Sequence, residues 1–166
     1  EKPIIEFFTL IGGGTPKTSN PDFWNGEILW YSVVDAPNES DVFVIDTAKK
    51  ITPLGLEKSS TKLLRKGVTI ISARGTVGKL AITGSEMTMN QSCYAIEGKF
   101  GDYFNCYVVN AAVAELKQKT HGAVFDTITQ DTFKTIYQVL PKPNIISAFE
   151  KSVGSIMQKI EQNLRE

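Results

Sequence analysis

The stretch KSSTKLLRKGVTIISARGTVGK, residues 58–79, holds six basic residues and no acidic one. It reads as an amphipathic approach, a buried strand over 68–72 and a glycine-punctuated turn, Arg74-Gly75-Thr76-Val77-Gly78-Lys79. A strand that ends in such a turn can bring backbone N–H groups and cations to one anionic surface. The alternative is a solvated hairpin whose lysines serve solubility. Overall charge does not separate the two, because 18 Lys and Arg balance 18 Asp and Glu. The asymmetry is local, and a local field is what a polyanion meets.

Outward from this stretch, strands are expected over 68–73, 77–83 and 89–96, with turns at 74–76 and 84–86. Upstream, an apolar opening over 4–11 runs into Gly12-Gly13-Gly14-Thr15-Pro16, a sharp turn where backbone passes close to something. Asn20-Pro21 and Asn25-Gly26 are further turn signals, and Phe23 and Trp24 between them are expected to fold back over the loop. Residues 28–34 alternate as a strand with Trp30 facing the core. Asp35, Glu39, Asp41 and Asp46 make an acidic counterpart to the basic stretch, followed at 51–56 by a turn-rich connector; a short strand is expected over 42–45.

Helix dominates the second half. Apolar residues at 104, 107, 108, 111, 112 and 116 give a helix over 103–119, with Gly122 placed to end it. A strand over 135–140 stops at Pro141 and Pro143. Asn144 is read as the cap of a helix running to the last residue. Its stripe of Ile145, Phe149, Val153, Ile156, Ile160 and Leu164 suits a core face or the start of a coiled coil. The expected class is α+β: one domain over 1–143, a twisted sheet with flanking helices, and a C-terminal helix over 144–166.

Composition excludes several chemistries. At 166 residues the chain can bury one real core. No apolar run approaches a membrane span. Two cysteines, Cys93 and Cys106, make no disulfide framework, and a reducing, cytoplasmic setting is expected. The single histidine, His121, beside a glycine at a helix end, reads as a cap or surface group. Gly75 to Lys79 departs from the nucleotide-binding loop in spacing, and Leu80 stands where the magnesium-binding hydroxyl belongs. No adenine-methyltransferase motif and no glycine-rich cofactor loop is present. The expectation is a binding protein without cofactor, metal site or catalytic residues.

Six pieces then follow in order: Gly13-Gly14-Thr15-Pro16-Lys17; Phe23-Trp24-Asn25-Gly26-Glu27-Ile28-Leu29-Trp30; Ile51-Thr52-Pro53-Leu54-Gly55-Leu56; Ser59-Ser60-Thr61-Lys62-Leu63-Leu64; Lys66-Gly67-Val68 with Ser72-Ala73-Arg74-Gly75-Thr76-Val77-Gly78-Lys79; and Asn90-Gln91. Together they resemble the target-recognition domain of the DNA-specificity subunit of type I restriction–modification enzymes. The last helix resembles the spacer helix that follows each such domain. Two segments depart from the family's pattern: Gly122-Ala123-Val124-Phe125, after the helix over 103–119, and Pro141-Lys142-Pro143-Asn144, at the start of the spacer helix.

The resemblance implies a non-catalytic reader of double-stranded DNA. Its expected partners are modification subunits that methylate adenine, a restriction subunit, and a second recognition domain or half-subunit joined through the C-terminal helix. Alternatives are a specificity domain serving another methyltransferase or nuclease–methylase, or a protein-interaction module. Expected DNA-contacting residues are Lys17, Thr18, Lys58, Lys62, Arg65, Lys66, Arg74, Thr76 and Lys79, cationic or short polar groups suited to phosphate. Asn90 and Gln91 carry the paired donor and acceptor that suit adenine, or else tie loops together. The expected partner face of the helix is Phe149, Val153, Ile156, Ile160 and Leu164.

Overall fold

The computed structural model describes residues 1–38, 41–119 and 127–166. Glu39, His121, Gly122 and the departure at 122–125 lie outside them. In chain order the strands are β1 (Lys2–Pro3), β2 (Phe8–Gly12), β3 (Trp24–Tyr31), β4 (Phe43–Val44), β5 (Lys49–Ile51), β6 (Thr69–Ser72), β7 (Leu80–Thr83), β8 (Thr88–Met89), β9 (Cys93–Gly98) and β10 (Tyr137–Gln138). The helices are α1 (Pro53–Glu57), α2 (Asp102–Lys119), α3 (Gln130–Lys134) and α4 (Pro143–Asn163), with short 3₁₀ turns between strands.

A five-stranded sheet, ordered β2-β9-β6-β7-β4, is the centre of the fold. Its pairings are antiparallel except β4 with β7. All four residues of β6, Thr69-Ile70-Ile71-Ser72, are buried, because both faces of this strand are covered. Ile71 joins Phe8 and Ile96 against Val109, Ala112, Val113 and Leu116 of α2. Ile70, one residue out of phase, joins Ala95, Tyr31, Met87 and Met89 on the opposite side. That second layer is a three-stranded sheet, β5-β3-β8. Each fully buried isoleucine contributes roughly 1.5–3 kcal/mol. The first strand pairs with the last, Lys2 opposite Gln138 and Pro3 opposite Tyr137.

The α+β class is as expected, and several boundaries are corrected. Residues 77–79 are turn rather than strand: Ser72 Oγ accepts from Lys79 N at 2.9 Å, and Gly75 and Gly78 hold φ of 75° and 81°. The span 89–96 is two strands in different sheets. At Asn90 the chain crosses over, with Asn90 Oδ1 accepting from Ser92 N at 3.0 Å. Residues 32–34 leave the strand in a 3₁₀ turn, where Asp35 accepts from Ser32 N at 2.8 Å and Ala48 N at 2.7 Å. The connector at 51–56 is instead the end of β5 and most of α1, which Thr52 caps by accepting from Gly55 N. The 135–140 strand shrinks to β10, preceded by α3, whose cap is Thr129.

Helix α4 begins one residue earlier than expected. Pro143 is its first helical residue and Lys142 its cap position, so Asn144 lies in the first turn instead. The helix packs against α2 and the β4–β7 edge through Met157, beside Phe43, Ile82 and Cys106. Its buried positions are Ile146, Met157 and Glu161, flanked by half-buried Phe149, Val153 and Ile160. Phe149 also meets Tyr107 and Phe104 edge-on at 5.5 and 6.1 Å. No helix of the described residues is long and apolar enough to cross a membrane.

Candidate nucleic-acid interface

Sheet register gathers the loops. Gly12 pairs with Tyr94, Cys93 with Ser72, and Ile71 with Leu80. The loop after β2, the turn between β6 and β7 and the turn before β9 therefore leave the same end of the five-stranded sheet. Lys17, Thr18, Arg74, Thr76, Lys79 and Gln91 sit there, all exposed, with Asn90 half-buried.

The loop after β2 is held by close backbone approach. A side chain at Gly13 would fall on the carbonyl of Asn90, and one at Gly14 on Ser60 and Thr61. Gly14 N donates to Met89 O at 3.0 Å, and Thr61 Oγ1 donates to the same carbonyl at 2.8 Å. Thr15 donates to the amide oxygen of Gln91. Two indoles complete the frame: Trp30 Nε1 donates to Gly14 O at 3.0 Å and Trp24 Nε1 to Lys17 O at 3.3 Å. Lys62 follows Thr61 and is exposed beside this loop. The amide oxygen of Gln91 joins the turn before β9 to the loop after β2, while that of Asn90 closes its own turn on Ser92 N.

The basic stretch divides between the two ends of β6. At the far end, Arg65 grips Asp102 with two bonds of 2.8 and 2.9 Å and Glu97 with one of 2.7 Å. These bonds, to Asp102 first and Glu97 second, raise the guanidinium's proton affinity further. Lys66 binds Glu161 of α4 at 2.6 Å. Lys58 pairs with its neighbour Glu57 at 2.8 Å. Among the described residues, Lys17, Lys62, Arg74 and Lys79 make no ion pair. The structure thus separates cations held by carboxylates from cations left to solvent.

One cation was missed from sequence. Lys49 Nζ lies 5.9 Å above the Trp24 ring, three residues past the acidic stretch that ends at Asp46. Asp35 is turned inward onto backbone amides, and Asp46 pairs with Lys50 at 3.2 Å. The Thr47 amide and Lys50 hold the Asp46 carboxyl below its ordinary value.

Neither thiol has the environment of a nucleophile. Burial first, with Asp35 nearby, pushes Cys93 up to about 12, and burial pushes Cys106 up to about 11. Among the described residues no cluster of His, Cys, Asp and Glu could hold a metal ion.

An α+β domain carrying glycine-tight loops at one sheet end and a long helix behind it defines the class. The chain belongs to the type I restriction modification DNA specificity domain family, whose model matches residues 1–166. It is 24% identical to the type I restriction enzyme MjaIX specificity subunit of Methanocaldococcus jannaschii, over 98% of this chain and 42% of that protein. It is 25% identical to the HindI specificity subunit of Haemophilus influenzae, over 98% of this chain and 36% of the relative. The crystal structure of the HsdS subunit from Thermoanaerobacter tengcongensis shares the fold, with TM-score 0.62 and 16% identity, covering 97% of this chain and 38% of that one. The chain thus spans about two fifths of the length of these relatives.

Proposed function

We propose that this chain reads duplex DNA through the loop end of its five-stranded sheet, on behalf of partner subunits that modify and cut. The observation that carries this reading is the gathering of Lys17, Lys62, Arg74 and Lys79, free of ion pairs among the described residues, around loops whose backbone is packed without slack. Such cations supply sequence-independent affinity, while exposed loop side chains beside them reach base edges. Membership of the specificity-domain family supports the same role.

In this reading the domain is non-catalytic, takes no cofactor and spans 1–143. Residues 144–166 begin a helix that joins a second recognition domain or half-subunit and meets the modification and restriction subunits. Thr18 and Thr76 are phosphate contacts, and Gln91 stands where its amide N–H can face a base. Arg65, Lys66 and Lys58 are assigned to the scaffold, because their carboxylate partners already satisfy them.

The test is adenine methylation of a plasmid by a modification subunit with and without this chain. Methylation confined to one sequence, and only when the chain is present, supports the proposal. Methylation independent of the chain sinks it.

A further inference from the structure

Strand β3 is not regular. Trp24 and Ile28 both stand opposite Ile51, so residues 25–27 bulge out of the ladder. Asn25 is the one described residue other than glycine with positive φ, 61°. Gly26 follows, and a side chain there would strike the backbone of Ile51 and Thr52. Bulges of this kind redirect a side chain at the cost of local pairing.

The residue at the edge of the bulge is Trp24, itself paired with Ile51. Its ring meets Trp30 edge-on at 5.0 Å, fixing its plane. Its Nε1 donates to the carbonyl of Lys17, and its face lies under the ammonium of Lys49. One indole therefore touches two lysines from segments far apart in sequence. Both are exposed. Neither has an ion-pair partner among the described residues. The same Lys17 carbonyl accepts from Asn20 N at 3.1 Å, closing the turn that presents Lys17 and Thr18.

We propose that Trp24 is a positioning residue that holds Lys17 and Lys49 as a two-cation clamp for phosphates of the DNA backbone, with the bulge at Asn25 as the device that aims it. This rests on the reading that the loop end meets DNA. A regular strand would leave the Lys17 turn without its indole donor and Lys49 without its ring.

The experiment measures binding of the 166-residue chain to a duplex of about 30 base pairs across a range of salt. Lys17→Ala and Lys49→Ala should each flatten the slope of log affinity against log salt by about 0.9. Trp24→Phe, which keeps a ring against Trp30, should weaken binding about fivefold, the worth of one ordinary hydrogen bond. Asn25→Gly, which keeps positive φ, should leave affinity unchanged, and Asn25→Val should reproduce Trp24→Phe.

The decisive variant combines Trp24→Phe with Lys17→Ala, Thr18→Ala and Lys49→Ala. It should bind no more weakly than those three changes alone, because Trp24 then has no phosphate contact left to position. A full additional fivefold loss would assign Trp24 a DNA contact of its own and overturn the clamp. Equal affinity of Trp24→Phe and the parent chain overturns it too. A parent chain whose binding ignores salt removes the DNA reading itself, a result distinct from either.

Discussion

Lys66 and Glu161, 95 residues apart, meet at 2.6 Å, and the same carboxylate takes Arg165 at 2.7 Å. Glu161 is only 8% exposed, while the two cations keep much of their solvent. Arg165 also donates to the carbonyl of Gly84, so the last turns of α4 are pinned to the β7 end of the sheet.

Glu161→Ala should lower stability by about 1–2 kcal/mol, below the 3–5 of a fully buried pair because Lys66 and Arg165 can rehydrate. Burial pushes the Glu161 carboxyl up, but bonds and charge from Lys66 and Arg165 prevail and hold it below its ordinary value. An acid with a depressed folded-state value binds its proton more readily when unfolded. Its stabilisation is therefore present at neutral pH and lost as pH falls through about 4.5 and below. Glu161→Gln should flatten that part of a denaturation-midpoint profile, and an unchanged profile contradicts the assignment.

Salt separates the two groups of cations. With Lys17, Lys62, Arg74 and Lys79 on phosphates, log affinity should fall against log salt with a slope of about −3.6, and about −4.5 with Lys49. Arg65→Ala should leave that slope unchanged while lowering the melting temperature, whereas Arg74→Ala should do the reverse. Fluorescence anisotropy and thermal melts of both variants check this.

Gly13→Ala should destabilise the domain by about 2 kcal/mol, because the added methyl meets the Asn90 carbonyl rather than a side chain that can move. Gly12→Ala is the control, since nothing lies within 4 Å of its added carbon. Chemical denaturation of the two variants should differ by most of that amount.

Neighbours on α4 should respond oppositely. Met157 is 4% exposed, and aspartate there should cost about 3 kcal/mol or more. Ile156 is 61% exposed, and aspartate there should leave the melt within about 0.5 kcal/mol while weakening association with a second helix or a modification subunit. Sedimentation and calorimetry on the two variants read the two effects apart.

How far these features were legible depended on their range. β6 and α2 announce themselves through an apolar run and a 3.6-residue period. β5 and α3 are three and five residues long, and β5 is strand only because β3 lies beside it. The run of cations around Arg65 looked continuous because its carboxylates, Asp102, Glu97 and Glu161, arrive from elsewhere with no local signal. On α4 the expected stripe holds exposed Ile145 and Ile156 beside half-buried Phe149, Val153 and Ile160, while the residues that turn fully inward, Ile146, Met157 and Glu161, lie outside that stripe. A glutamate reads as surface until its two cations are located.

The pairing of β1 with β10 carries a consequence for synthesis. Ile4 N donates to Ile136 O at 2.8 Å, and Ile4 is wholly buried beside Ile136 and Phe133. The opening segment thus has no place to dock until residues near 138 have left the ribosome. At roughly 5–20 residues per second, the nascent chain waits about 7–27 seconds before Ile4 can be covered, although Phe8 can pair earlier, with Gly98 of β9. Closure joins the two ends of a long loop and comes late, the slow class of contact. During translation, then, the first segment made is the last to be covered, just before the final helix emerges.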